Sequence, residues 1–182
     1  QKSLEANYED GKKDGEWNEW YENGQKSLEA NYEDGKKDGE WNGWFENGQK
    51  SLEANYEDGK YTQWYENGTK AVESNYIDGK EKYTRWYENG EKKSEVNYKD
   101  GKKDGEWNEW YENGKKKFKA NYKDGKKDGQ FTAWYKNGRM ELLVNFKNGK
   151  KTGKHSSWSV HGIENHSGSI SILRNKLKLL TR

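Results

Sequence analysis

Apolar and polar residues alternate in short stretches along this chain. In Ser51-Leu52-Glu53-Ala54-Asn55-Tyr56, the residues Leu52, Ala54 and Tyr56 interleave with Ser51, Glu53 and Asn55. A period of two is the pattern of a half-buried β-strand. Two kinds of glycine dipeptide bracket these stretches. Asn-Gly recurs at Asn23-Gly24, Asn47-Gly48, Asn67-Gly68, Asn89-Gly90, Asn113-Gly114 and Asn137-Gly138. Asp-Gly recurs at Asp10-Gly11, Asp34-Gly35, Asp58-Gly59, Asp78-Gly79, Asp100-Gly101 and Asp124-Gly125. Both dipeptides accept the positive φ of a two-residue type I′ turn, so each is expected to close a hairpin. Proline is absent, which leaves every backbone N–H available to a ladder.

The pattern is a repeat. Trp20, Trp44, Trp64, Trp86, Trp110 and Trp134 are separated by 24, 20, 22, 24 and 24 residues, and a further 24 reaches Trp158 in a degraded copy. The lengths differ only by even numbers. Side chains on a strand change face at every residue, so an even deletion leaves each aromatic on its own face. The loss maps to one place: Gly35-Lys36-Lys37-Asp38-Gly39-Glu40-Trp41 shortens to Gly79-Lys80-Glu81-Lys82-Tyr83 and then to Gly59-Lys60-Tyr61. The predicted fold is therefore all-β, an elongated single-layer antiparallel meander of hairpin repeats over residues 1–162, with two strands per unit. About fourteen strands at ~4.8 Å each span roughly 65 Å. Residues 163–182 form a separate C-terminal tail. Ile170, Leu173, Leu177 and Leu180 fall at helical spacing there, and the tail is expected to cap an open sheet edge.

A single layer has to gain its cohesion from contacts between successive units. Trp20, Trp44, Trp64, Trp86, Trp110 and Trp134 are expected to line one face. The next residues, Tyr21, Phe45, Tyr65, Tyr87, Tyr111 and Tyr135, point to the opposite face, shared by Trp17, Trp41, Tyr61, Tyr83, Trp107 and Phe131. The Trp20-type and Tyr21-type rows are the candidate binding surface, since Trp and Tyr serve as interface anchors. Glu19, Gly43, Gln63, Arg85, Glu109 and Ala133 vary between units and are expected to tune specificity.

Composition sharpens this picture. Apolar residues make up 28%, charged residues 36%, and the mean hydropathy is −1.62, which taken alone leans toward disorder. The 15% of aromatic residues, set at fixed spacing, opposes that reading. A net charge of +2 gives no strong case for nucleic acid or an anionic membrane. Membrane contact is expected only through the tail. There is no cysteine, hence no disulfide or thiolate metal site. His155, His161 and His166 sit beside no nucleophile and lack metal-ligand spacing. Asp34-Gly35-Lys36-Lys37-Asp38-Gly39 places lysines where a calcium loop needs oxygen ligands. Carboxylates such as Glu22, Glu46 and Glu66 recur in every unit, whereas catalysis needs one special environment. No catalytic residue, metal or cofactor is expected. The chain begins at Gln1, in mid-unit and without a Met, so an upstream segment is expected; the compartment stays open, with the cytoplasm favoured unless a secretion signal preceded Gln1.

Trp20 to Gly24, followed by Tyr32 to Trp41, resembles the bacterial variant of the MORN repeat, and the resemblance runs over residues 1–162. It implies an elongated β-hairpin sheet acting as an interaction scaffold with no catalytic residues. Bacterial proteins built from this variant are often labelled YwqK-like antitoxins, so it also implies an immunity role with a toxin as partner. From His155 onward the pattern decays: Ser159 stands in place of the aromatic and His161 in place of Asn. The expected function is non-catalytic protein–protein binding. The alternative is a cell-surface or cell-wall glycan binder, because aromatics interleaved with lysines also stack on sugars.

Overall fold

The structure is a computed structural model that describes residues 3–165 of the 182. The proposed cap in residues 163–182 therefore falls almost wholly outside the described residues, as does His166.

Among the described residues, fifteen strands follow one another in chain order: β1 (Leu4–Glu9), β2 (Lys12–Trp20), β3 (Lys26–Glu33), β4 (Lys36–Trp44), β5 (Lys50–Asn55), β6 (Lys60–Trp64), β7 (Lys70–Ile77), β8 (Lys80–Trp86), β9 (Lys92–Lys99), β10 (Lys102–Trp110), β11 (Lys116–Lys123), β12 (Lys126–Trp134), β13 (Met140–Lys147), β14 (Lys150–Trp158) and β15 (Glu164–Asn165). They form one open antiparallel sheet in which each strand pairs only with its chain neighbours. Among the described residues there is no helix, and so none long and apolar enough to cross a membrane.

The two turn types differ, which corrects part of the expectation. At Asp10-Gly11, Asp34-Gly35, Asp78-Gly79, Asp100-Gly101 and Asp124-Gly125 both residues have positive φ, as a type I′ turn requires. Asn148-Gly149 does the same. Asn-Gly behaves otherwise. Asn23 keeps a negative φ while Gly24 lies at +87°. The Gly24 N–H donates to the Tyr21 carbonyl, and the Tyr21 N–H to that of Gln25, each at 2.9 Å. This is a three-residue loop, a type I turn closed by a left-handed glycine. The Asn23 side chain helps by accepting the Gln25 N–H at 2.9 Å. The loop persists at Ser159 to Ile163 although the aromatic is gone. Asp58-Gly59 also departs: Asp58 is not at positive φ, and Asn55 Oδ1 instead accepts the N–H groups of Glu57 and Asp58.

The length variation has a clear structural seat. In a 24-residue unit the second strand carries a bulge; opposite β1, the paired residues step from Lys13 to Trp17 while β1 steps from Tyr8 to Ala6. A glycine at positive φ (Gly15, Gly39, Gly105, Gly129, Gly153) sits in each bulge. The shorter β6 and β8 lack that Asp-Gly pair and run in unbroken register against β5 and β7. Two residues are removed at β8 and four at β6; both numbers are even, so no side chain changes face and the spacing seen in the sequence is explained.

The core lies on one face of the sheet. There, Trp17 pairs with Ala30 and Trp107 with Ala120 across the ladder. Two clusters form: Trp17, Ala30, Trp41 and Ala54 near one end, and Phe118, Ala120, Phe131, Ala133, Leu142, Val144 and Phe146 near the other. The second is larger because Phe118 and Leu142 occupy the register position filled by Leu28 and Leu52 earlier, and both are fully buried. Lysines cover the column from above: the ammoniums of Lys13, Lys37, Lys103 and Lys127 lie 3.6, 4.2, 3.2 and 4.5 Å from the ring centres of Trp17, Trp41, Trp107 and Phe131. Their aliphatic stems thus stand in for the second layer that a lone sheet lacks.

Candidate binding surface

The strand alternation sorts the aromatics into two jobs. Trp17-type rings are taken up by the core face, where they meet the Tyr32-type rings of the adjacent strand edge-on. Tyr8, Trp17, Tyr32, Trp41 and Tyr56 form one such zigzag, with ring centres 5.1–6.2 Å apart. Sequence reading missed the Tyr32-type members, although their place two residues beyond each Ala pointed to that face.

Trp20, Trp44, Trp64, Trp86, Trp110 and Trp134 lie on the opposite, open face, and every one is half-buried. Lysines flank them. Lys92 and Lys116 place their ammoniums 5.4 and 5.2 Å from the Trp110 ring centre, and Lys70 lies 5.6 Å from that of Trp86. Lys70 and Lys92 also pair with the carboxylates three residues on, Glu73 and Glu95, as Lys50 does with Glu53 at 2.7 Å, whereas Lys116 reaches the Asn108 side-chain oxygen. Burial by itself would raise the Glu95 carboxyl, but hydrogen bonds from Lys92 and Lys82 hold it below the usual range. Between these rows runs a line of amides and hydroxyls, of which Asn18, Thr84, Asn108 and Thr132 are buried.

Tyr21, Tyr65, Tyr87, Tyr111 and Tyr135 belong to the Asn-Gly loops. Each hydroxyl donates to the main-chain carbonyl of the next unit's Trp: Trp44, Trp86, Trp110, Trp134 and Trp158, at 2.8–3.0 Å. Phe45 has no hydroxyl, so the step to Trp64 lacks this bond. Among the described residues no amide bond from Asn47 accompanies it either, although Asn23, Asn67 and Asn89 each reach the next loop's carbonyl.

Glu19, Gly43, Gln63, Arg85, Glu109 and Ala133 are set on the core face, in register with Leu28, Leu52, Val72, Ser94, Phe118 and Leu142. Lying one residue before each Trp, they do not share its face. Gly43 and Ala133 are buried, while Glu19 accepts the Trp17 indole N–H at 2.7 Å and Glu109 pairs with Lys117 at 3.2 Å. Two shallow concavities open where the bulge is missing. One, of about 620 Å³, is lined by Asn75, Ile77, Lys80, Lys82, Asn97 and Lys99 among others. The other, of about 360 Å³, is lined by acidic residues including Glu40, Glu53, Asp58 and Glu73. Among the described residues no three potential ligands come together in a group that could hold a metal ion.

The pattern of the MORN repeat variant matches residues 13–34, 37–58, 57–78, 82–100, 103–124 and 127–148, well over half of the chain. The chain belongs to the MORN repeat variant family. No curated protein matches it. Each of the six MORN matches pairs the second strand of one hairpin with the first strand of the next, so the family unit contains one Asn-Gly loop and the aromatic residues that enter and leave it. This MORN array is a scaffold whose regular surface is displayed along a single sheet.

Proposed function

We propose that this MORN repeat protein is a non-catalytic scaffold that binds a protein partner across its open face, with Trp20, Trp44, Trp64, Trp86, Trp110 and Trp134 as anchors. The observation that carries this reading is the division of labour between faces. The Trp17-type rings hold the sheet together, whereas the Trp20-type indoles stay half-exposed on the other side. Half-exposed Trp beside charged residues is the composition of an interface centre and its rim. The Tyr21-type hydroxyls are committed to the array, which leaves their ring edges as secondary contacts.

The finer reading is that the partner is a toxin, occluded by this chain as an immunity protein. The glycan alternative draws less support, because much of the polar row beside the indoles is buried and offers few hydrogen bonds to a sugar. The test is a pull-down and toxicity rescue with the product of the neighbouring gene, comparing wild type with the triple variant Trp64→Ala, Trp86→Ala, Trp110→Ala. Capture and rescue by wild type, both lost in the triple variant, are expected. No complex and no rescue would remove the antitoxin reading. Binding retained by the triple variant would remove the open face as its site.

A further inference from the structure

The near-neutral net charge conceals a gradient along the sheet. Residues 1–90 contain 21 acidic and 12 basic side chains, and residues 91–182 contain 11 acidic and 22 basic ones. The imbalance holds among the described residues, with 21 acidic against 11 basic over 3–90 and 11 against 18 over 91–165, and because strand order follows chain order it becomes a spatial separation along the array.

The gradient is cleanest along the edge formed by the Asp-Gly hairpins. In each of the seven tips the position before the turn dipeptide is exposed. It is Glu9, Glu33 and Glu57 in the first three, Ile77 in the fourth, and Lys99, Lys123 and Lys147 in the last three. The remaining tip residues hardly vary: Asp precedes Gly in the first six, Asn148 in the seventh, and Lys follows throughout. This one position therefore sets the charge of each tip, and it changes sign about the central rung. Among the described residues, Glu9, Glu33, Glu57, Lys99 and Lys123 form no ion pair with a neighbour. Lys147 reaches Asp128 at 3.1 Å while its side chain stays largely in solvent.

We propose that this edge is a self-association surface on which two copies of the chain meet antiparallel, related by a two-fold axis at Ile77. An isologous contact sets residue i of one copy against residue j of the other and the reverse. An axis at the fourth tip sets Glu57 against Lys99, Glu33 against Lys123 and Glu9 against Lys147, each twice. A parallel arrangement would oppose like charges at every rung but the centre. The centre is itself apolar: Ile77 is 63% exposed and Tyr76 52%. Tyr56, Gly59, Tyr76 and Ile77, together with the carboxylates Glu57, Asp58 and Asp78, line a hollow beside this tip whose apolar side the partner copy's Ile77 can meet. An apolar centre with a charged rim is the anatomy of a specific interface. The open face and its Trp row remain free in such a dimer, so this contact is independent of the partner binding proposed above.

Exposed ion pairs are individually weak and are screened over about 8 Å at physiological salt. Association is therefore expected to be salt-sensitive, weakening about tenfold or more between about 50 and about 500 mM NaCl. The decisive experiment exchanges the arms. One variant carries Glu9→Lys, Glu33→Lys and Glu57→Lys; the other carries Lys99→Glu, Lys123→Glu and Lys147→Glu. In sedimentation velocity at low salt, wild type is expected to dimerise, each variant alone to remain monomeric, and an equimolar mixture of the two to form a heterodimer. The mixture is the control for folding, since misfolded variants do not restore one another. Carbodiimide coupling of mixed ¹⁵N-labelled and unlabelled wild-type chains should join Glu33 to Lys123 between copies. These residues are about 40 Å apart within one chain, too far to couple internally. A monomeric wild type at low salt up to about 1 mM, or variants that dimerise alone as well as wild type does, would overturn the proposal.

Discussion

The Tyr65 hydroxyl donates to the main-chain carbonyl of Trp86, one unit further along, at 2.9 Å. The aromatic that closes one Asn-Gly loop thereby fastens the next. A net contribution of about 1 kcal/mol per bond is typical, so Tyr65→Phe should lower stability by about that much. Phe45 is the natural experiment in the other direction. Phe45→Tyr should supply the missing bond to the Trp64 carbonyl and raise stability by about 0.5–1 kcal/mol. Urea unfolding checks both; an unchanged midpoint for Phe45→Tyr would mean that the step into the short β6 has a different geometry.

The Asp-Gly bulge predicts a parity rule for deletions. Removing Asp104 and Gly105 together converts β10 into a strand like β8 and forfeits the bond from the Asp124 N–H to Asp104, a cost of about 1 kcal/mol. Removing Gly105 alone reverses the face of every residue on one side of the cut, expelling Trp107 from the core face or drawing in its neighbours. That loss should reach about 3–5 kcal/mol, comparable to emptying a core position. Thermal unfolding of the two deletions compares them directly.

The two faces should answer differently to truncation. Phe131 is fully buried, in contact with Phe118 and Phe146, and Phe131→Ala should cost about 3–5 kcal/mol. Trp110 is half-exposed on the open face, and Trp110→Ala should cost only about 1–2 kcal/mol while weakening partner capture. Denaturant titration paired with a binding assay separates the two. A Trp110→Ala protein as unstable as Phe131→Ala would place Trp110 in the core.

Lys127 makes stability depend on pH. Burial against Phe131 pushes its ammonium down to about 8, and Lys103 and Lys151 add to the shift. A lysine whose folded pKa lies below its unfolded value holds more protons when unfolded, so its burden is present in full below pH 8 and lifts as pH rises toward 10.5. Tyr122 acts later and with the opposite sign: burial and Glu109 push its hydroxyl up to about 12, so that its contribution is complete below pH 10 and lost above. The melting temperature should therefore rise between pH 8 and pH 10, and Lys127→Met should flatten that rise and increase stability at pH 7. A wild-type melting temperature that falls steadily across this window would contradict the assignment.

Strand positions, faces and unit lengths were legible in the sequence because period two and even spacing act locally. Trp17 and Trp20 could be assigned to opposite faces from their three-residue separation alone. Turn chemistry was less legible. Asn-Gly fits a type I′ turn as well as it fits a type I turn ending in a left-handed glycine, and only the Tyr21 to Gln25 pairing decides between them. Tyr32 was readable as a strand residue, but its edge-on contact with Trp17 depends on which neighbouring strand supplies the ring above it. The charge gradient escaped notice because summing over the chain cancels Glu9, Glu33 and Glu57 against Lys99, Lys123 and Lys147.

Since every strand bonds only to the strands just before and just after it, no rung waits for a distant part of the chain. A growing polypeptide can lay down each hairpin on the one already formed as it leaves the ribosome, and the entropic cost of closing long loops never arises. The exposed strand at the growing end is covered by the very next segment to be synthesised, which keeps short the interval in which that edge could recruit a stranger.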